Sequence, residues 1–187
     1  NQFLSEILPV NYSTSSLATI RDEYMIECNI FESMCNIDES EFNPTVSWNI
    51  QTDLPCGSVL IVSAYRLYQD YENNDCVWTL YEDKVEIIPL GSGDFNGASG
   101  YFQVDVGDSN GLSEFNEYLS SFSKGIKGPV QDKLFVSFVL GARQPLKGFG
   151  KNNQNLSGAC VEDEGGVNVI EVQHTMSVRI LSKYQPI

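Results

Sequence analysis

The clearest structural signal in this chain is VNVIEVQHTMSVRIL, residues 167–181, where apolar side chains recur at every second position. Such an alternation turns one side of an extended strand toward a core and the other side toward water. The stretch therefore predicts a half-buried β-strand. Its expected inward residues are Val172, His174, Met176, Val178 and Ile180, and its expected outward residues are Gln173, Thr175, Ser177 and Arg179.

Six further segments are rich in β-forming residues and are separated by turn-forming stretches, of which residues 70–75 and 91–97 are the clearest. One helix is predicted at 112–123, with four apolar residues on one face and Gly125 after its end. This pattern predicts a mostly-β fold, a two-sheet antiparallel β-sandwich of Greek-key or jelly-roll type with one short inserted helix. The six segments are residues 24–30, 46–50, 59–68, 76–88, 101–106 and 134–140.

The length of 187 residues and the hydrophobic share of 42% suit one folded domain, which we expect over residues 21–187. Residues 1–20 form a separate N-terminal arm in this interpretation. A short apolar stretch in the arm ends at Pro9, and residues 12–16 are polar and extended in character. Such an arm is either a tether or a segment that packs on another surface.

The chain carries a net charge of −14, from 25 acidic and 11 basic residues. An acidic surface repels nucleic acid and anionic lipid, so a nucleic-acid partner is not expected. No apolar run approaches the roughly 20 residues needed to cross a bilayer, so membrane insertion is not expected either. The charge fits simple solvation, binding of a divalent cation, or contact with cationic or glycan partners.

Five cysteines are present, none at the short spacing typical of a zinc site, and the chain has a single histidine. An odd number of cysteines predicts at most two disulfides and one remaining thiol, which is either buried or bonded to another chain. The pairing stays open, although Cys28 and Cys35 are close enough in sequence to clip a short loop. The disulfide candidates are Cys28, Cys35, Cys56, Cys76 and Cys160.

Two N-glycosylation sequons begin at Asn11 and Asn155, and the first residue is Asn1 rather than methionine. A cleaved signal peptide would explain the first residue, although a trimmed chain would look the same. Disulfides persist in oxidising compartments. These features together predict a secreted, extracellular glycoprotein.

Calcium is the most plausible cofactor, because oxygen-bearing side chains cluster around the turn before the predicted helix. The spacing does not match an EF-hand loop, and Asp108 or Ser109 could equally cap the helix. The expected metal ligands are Asp105, Asp108, Asn110 and Glu114, and weaker clusters occur at residues 70–75 and 162–164.

No motif predicts an enzyme or a cofactor-binding loop. His174 lies within an alternating strand, so a position at the edge of the core is expected, and the chain has no Gly-x-Ser-x-Gly motif. A sugar-binding surface is an alternative, because Tyr68, Tyr71 and Tyr81 fall on or near a predicted hairpin loop. Trp48 and Trp78, in contrast, are expected to be buried.

These features favour an extracellular structural or assembly subunit, such as a surface or filament protein, that joins its neighbours partly through the N-terminal arm. Strand addition to the sheet of the next copy is the physical basis of that expectation. A secreted carbohydrate-binding or lectin-like module is the first alternative. An enzyme, or a domain of a larger secreted enzyme, is the second.

Overall fold

The computed structural model describes residues 25–41, 43–69, 72–91, 93–104 and 133–178. The predicted N-terminal arm at 1–20 and the predicted helix at 112–123 lie outside these residues. Within the described part, no helix is long and apolar enough to cross a membrane.

The described residues form eleven strands and two single-turn 3₁₀ helices. The strands are β1 (Ile26–Glu27), β2 (Phe31–Asp38), β3 (Thr45–Thr52), β4 (Val59–Gln69), β5 (Asp75–Glu86), β6 (Ile88–Pro89), β7 (Asn96–Gln103), β8 (Lys133–Leu140), β9 (Leu156–Ser157), β10 (Glu162–Asp163) and β11 (Asn168–Ser177). The 3₁₀ helices are Lys147–Phe149 and Lys151–Asn153.

Two antiparallel sheets pack against each other and confirm the predicted β-sandwich. The five-stranded sheet has the order β10-β11-β8-β4-β5, and the four-stranded sheet has the order β2-β3-β7-β6. A third, small sheet pairs β1 with β9 in parallel. The chain passes between the two main sheets after β3, after β5 and after β7, so neither sheet is a simple sequential meander.

The core lies between the two main sheets and is filled by side chains at alternate strand positions. In β3, Val46, Trp48 and Ile50 are buried, whereas the residues between them are exposed. The Trp48 ring meets the Phe138 ring of β8 edge-on, with 5.7 Å between centroids, and so joins the two sheets. Gly100 makes room for that indole, because a Cβ at Gly100 would lie 2.5 Å from Trp48 Cζ2.

The stretch at 167–181 forms β11 over its first part, and its alternation is confirmed: Val172, His174 and Met176 are half-buried and the intervening residues are exposed. The strand expected at 24–30 does not agree with the structure over most of its length. Only Ile26–Glu27 is a strand there, and the long strand begins after it, at Phe31.

Candidate functional site

The outer edge of β2 is the first candidate site. Among the described residues, β2 pairs only with β3, so its other edge carries no strand. The β2–β3 ladder runs through eight consecutive residue pairs without a register shift. The strand is also fixed at both ends. The Asp53 carboxylate accepts a hydrogen bond from the main-chain N–H of Asn29 at 3.0 Å. At the other end, the Asp38 carboxylate accepts a hydrogen bond from the main-chain N–H of Ser40 at 2.9 Å.

The main-chain groups that face away from β3 can be assigned from one hydrogen bond. The N–H of Asp53 donates to the Ile30 carbonyl at 3.3 Å, so Ile30 directs its main-chain groups toward β3. In an antiparallel pair this direction alternates along the strand. Every second residue of β2 therefore directs an N–H and a C=O outward, namely Phe31, Ser33, Cys35 and Ile37.

β2 lacks several of the features by which proteins usually block strand addition, although its exposed residues include the acidic Glu32 and Asp38. It contains no proline, lysine or bulge, and Met34 near its centre is 54% exposed. The long edge strand of the other sheet, β5, differs from β2 in its register and in its charged residues. Its ladder with β4 shifts register between Ala64 and Tyr65, and its exposed residues include the charged run Glu82, Asp83 and Lys84. The β2 edge is therefore the better acceptor for an added strand.

The outer face of the four-stranded sheet is the second candidate site, and its centre is Tyr101. This side chain is 75% exposed, the most exposed of the large hydrophobic side chains in the described residues. Tyr101 lies opposite Ser47, which in turn lies opposite Asn36, so the three form one row across three strands. At a spacing of about 4.8 Å between strands, the row is about 10 Å long.

Polar side chains surround that row. Asn49 and Ser99 form the neighbouring exposed pair, and Gln103 is exposed two residues beyond Tyr101. An aromatic ring beside amide and hydroxyl groups is the chemistry that stacks and hydrogen-bonds a sugar. The sequence expectation did not include Tyr101, because nothing in the alternation of β7 shows whether its polar side faces solvent or a neighbour.

A cleft of about 610 Å³ lies beside the start of β4, on the outer side of the five-stranded sheet. Val59 and Ile61 supply its apolar wall, and Lys84 and Arg143 supply two cations. Gln144 fixes the cleft by accepting the N–H of Val59 and donating to the Val59 carbonyl, both at 2.9 Å. The apolar wall and the two cations together suit a ligand that is mostly apolar and carries one acidic group.

The single histidine joins the two main sheets. The Ser33 hydroxyl of β2 lies 2.6 Å from Nε2 of His174, and the His174 ring meets Phe138 edge-on at 5.9 Å. This position at the edge of the core agrees with the expectation from sequence. Neither residue lines the cleft described above.

The structure does not support a sugar-stacking surface made by all three of the tyrosines named from the sequence. Tyr81 is half-buried and stacks on Phe102, with centroids 4.6 Å apart, so its ring packs in the core and the expectation for this residue is wrong. Burial, and then the charge of Asp83, raises the pKa of Tyr81. The side chains of Tyr68 and Tyr71 lie outside the described residues. Trp48 and Trp78 are buried, as expected.

All five cysteines lie in the described residues, and all are thiols in the structure. Cys28 is fully buried, Cys56 is exposed, and Cys35, Cys76 and Cys160 are half-buried. Cys28 lies beside Thr52, whereas Cys35 is opposite Trp48, four residues away along β3. An extended strand separates such positions by about 13 Å, which disfavours a clip between Cys28 and Cys35. The two expected disulfides stay predictions.

The remaining predicted sites are only partly covered. The expected calcium ligands Asp105, Asp108, Asn110 and Glu114 lie outside the described residues, as does the sequon at Asn11. In the part of the chain that is described, no group of three His, Cys, Asp or Glu side chains could hold a metal ion. Asn155 is half-buried, and its amide donates to the Gly148 carbonyl at 2.8 Å. Calcium binding and glycosylation stay predictions.

The fold and these surfaces define a class of protein but no activity. The class is a mostly-β sandwich in which, among the described strands, β2 has a neighbour on one side only, and whose outer sheet face is polar and aromatic. In comparisons with known proteins, no family model, curated protein or solved structure matches the chain. Function must therefore be argued from the surfaces themselves.

Proposed function

We propose that this protein is an extracellular structural subunit that assembles by strand addition, with residues 1–20 of one copy pairing with the outer edge of β2 in the next copy. The observation that carries the proposal is the outer edge of β2, which is eight residues long, in continuous register with β3 and not paired with any other described strand. Extended segments add to such edges through main-chain hydrogen bonds, with side-chain pockets adding specificity.

The arm is long enough for this role. Pairing along the eight residues of β2 would use eight of the 20 residues in the arm. The other residues, at about 3.3 Å each when extended, would reach about 40 Å, which is sufficient to bridge to a neighbouring domain. The polar, extended character of residues 12–16 suits a strand that lies at a sheet edge.

The affinity of such a contact follows from its hydrogen bonds. The four outward residues of β2 offer one donor and one acceptor each, and each bond made contributes about 0.5–1.5 kcal/mol. The sum over eight bonds, about 4–12 kcal/mol, corresponds to dissociation constants from about millimolar to about nanomolar, and the cost of ordering the arm weakens the affinity from those values. Assembly is therefore expected to depend on concentration.

Strand addition of this kind is heterologous, because the arm of one copy binds an edge on another. A heterologous contact that does not close into a ring propagates into a fibre. The acidic surface, with a net charge of −14, would oppose non-specific association between copies and leave the arm as the specific connection.

Light scattering on the intact chain and on a chain without residues 1–20 tests the proposal. The intact chain should form species larger than a monomer whose mass rises with concentration, and the shortened chain should stay monomeric. A second variant acts on the acceptor. Cys35→Pro removes an outward N–H that β3 does not use, so it should prevent assembly while the sandwich still folds.

Cys35→Ala is the matched control, because it changes the same side chain and keeps the N–H. It should assemble like the unmodified chain, and circular dichroism should show the same β content in all variants. If the intact and shortened chains are both monomeric up to millimolar concentration, the proposal fails. It also fails if Cys35→Pro folds and assembles normally.

A second function is favoured by the outer face around Tyr101. An exposed aromatic ring in a row with Ser47 and Asn36 suits a neutral glycan, because the acidic surface would repel an acidic one. Titration with neutral hexasaccharides of glucose and of N-acetylglucosamine tests this function. Tyr101→Ala should weaken binding at least tenfold, whereas Tyr101→Phe should keep most of it. Equal binding by all three proteins would contradict it.

A further inference from the structure

Two cysteines that are far apart in sequence meet where β1 lies beside β9. The two short strands run parallel, with Ile26 opposite Leu156 and Glu27 opposite Ser157. The N–H of Cys28 continues this pairing by donating to the Ser157 carbonyl at 2.8 Å. The N–H of Cys160 then donates to the Cys28 carbonyl at 3.0 Å.

A bulge at Gly158 produces the contact between the two cysteines. In a regular parallel ladder the residue after Gly158 would donate to the Cys28 carbonyl, but here the donor is Cys160, one residue later. Gly158 has φ of +120°, and a Cβ there would lie 2.4 Å from the Cys28 carbonyl oxygen. Only glycine allows this approach, and it places Cys160 rather than Ala159 beside Cys28.

We propose that Cys28 and Cys160 form an intramolecular disulfide when the protein matures in an oxidising compartment. Residues joined by a main-chain hydrogen bond across neighbouring strands lie about 5 Å apart at Cα. Disulfide-bonded residues have Cα separations of about 4.4–6.8 Å, so this main-chain spacing is compatible with the bond. Burial, and to a smaller extent contact with Cys160, raises the pKa of the Cys28 thiol, while a hydrogen bond with Thr52 lowers it.

The strand pairing of two other cysteines is also described. Cys35 lies opposite Trp48, and Cys76 lies opposite Tyr68, so neither strand pairing brings a second cysteine alongside. Cys56 is exposed in the turn before β4. The main-chain hydrogen bond between Cys28 and Cys160 is therefore the observation that favours this pair.

Formation of the Cys28–Cys160 disulfide needs an oxidant. A small-molecule disulfide such as oxidised glutathione can supply the oxidation. Cys160, half-buried, is the more accessible thiol, so its thiolate attacks one sulfur of glutathione disulfide and releases one glutathione thiolate. The Cys28 thiolate then attacks the Cys160 sulfur of the mixed disulfide and releases the second glutathione. One S–S bond breaks and one forms, and the two protons of the protein thiols end on the two glutathione molecules.

Peptide mass spectrometry under non-reducing conditions tests the assignment. The full chain is unfolded with reductant, refolded at pH 8 in reduced and oxidised glutathione, and digested. We expect one cross-linked pair of peptides that contains Cys28 and Cys160, and an intact mass lower by two hydrogen atoms. Cys56→Ser is the matched control and should keep the cross-link.

Two variants remove one partner each. Cys160→Ala, at a half-buried position, should fold and lose the cross-link, and Cys28→Ala should accumulate glutathione on Cys160. Reductant should lower the melting temperature of the unmodified chain by about 10 °C, because the bond closes a loop of about 130 residues, but should not change that of Cys160→Ala. A fully reduced refolded chain, or a cross-link between other cysteines, would overturn the proposal.

Discussion

Replacing Gly158 with alanine should destabilise the fold by about 2–6 kcal/mol, and the cost can be divided into two parts. The first is backbone strain, because φ of +120° is unfavourable for any residue with a Cβ and costs about 1–3 kcal/mol. The second is steric. The new Cβ would lie 2.4 Å from the Cys28 carbonyl oxygen and 2.7 Å from its carbon, so the main chain of Cys28 must move.

That movement would separate β1 from β9. The hydrogen bonds at risk run from Cys28 N–H to Ser157 and from Cys160 N–H to Cys28, at 2.8 and 3.0 Å. Losing both costs about 1–3 kcal/mol at about 0.5–1.5 kcal/mol each. Added to the strain, this gives the expected total of about 2–6 kcal/mol, which corresponds to a melting temperature lower by roughly 4–24 °C for a chain of this size.

Gly165→Ala is the control that isolates the steric part. Gly165 also has positive φ, at +62°, but a Cβ there would have no atom within 4 Å. Its replacement should cost only about 1–2 kcal/mol. Urea unfolding, followed by tryptophan fluorescence with reductant present throughout, gives both free energies. If Gly158→Ala is no more destabilising than Gly165→Ala, the close approach of Cys28 and Gly158 is refuted.

Three further predictions concern the core. Burial raises the pKa of the Cys35 thiol from 9.0 to about 11, so the unfolded chain loses this proton first. The contribution of this thiol to stability is therefore complete below pH 9 and declines from pH 9 to 11. Urea midpoints across that range should show a decline that Cys35→Ala reduces, and an unchanged slope would contradict the burial. Ser33→Ala and His174→Gln should each cost about 1 kcal/mol and couple by about 0.5–1.5 kcal/mol in a double-mutant cycle, whereas additive effects would argue against their hydrogen bond. Phe138→Ala should cost about 3–5 kcal/mol in the same urea assay, since the ring is fully buried between the sheets, and a loss under 1 kcal/mol would contradict that packing.

The strands that sequence predicts well are those whose inward residues are strongly apolar. β3, β4, β8 and β11 fall within a few residues of their expected positions. In β3 and β11 apolar residues alternate with polar ones, whereas β4 and β8 are short runs rich in Val, Ile, Leu or Phe. β2 was not predicted. Its inward set includes Ser33 and Cys35 and its outward set includes Met34, so hydrophobicity hardly alternates although the strand does.

The candidate sites depend on features that a single sequence does not contain. The edge of a sheet is a property of strand order, and nothing in residues 31–38 indicates which strand lies outermost. The exposure of Tyr101 and the burial of Tyr81 depend on which sheet face is covered. Similarly, Cys28 and Cys160 become neighbours only through the bulge at Gly158, so the sequence could supply the candidates but not the pair.

The most direct test of assembly through β2 is amide hydrogen exchange at its outward N–H groups, in the chain that lacks residues 1–20. These four amides, of Phe31, Ser33, Cys35 and Ile37, should exchange rapidly in the shortened chain, because β3 does not use them. Adding a synthetic peptide of residues 1–20 should slow their exchange at least tenfold, whereas a scrambled peptide should not. Unchanged exchange at all four amides, with the peptide in excess at millimolar concentration, would contradict the proposed function.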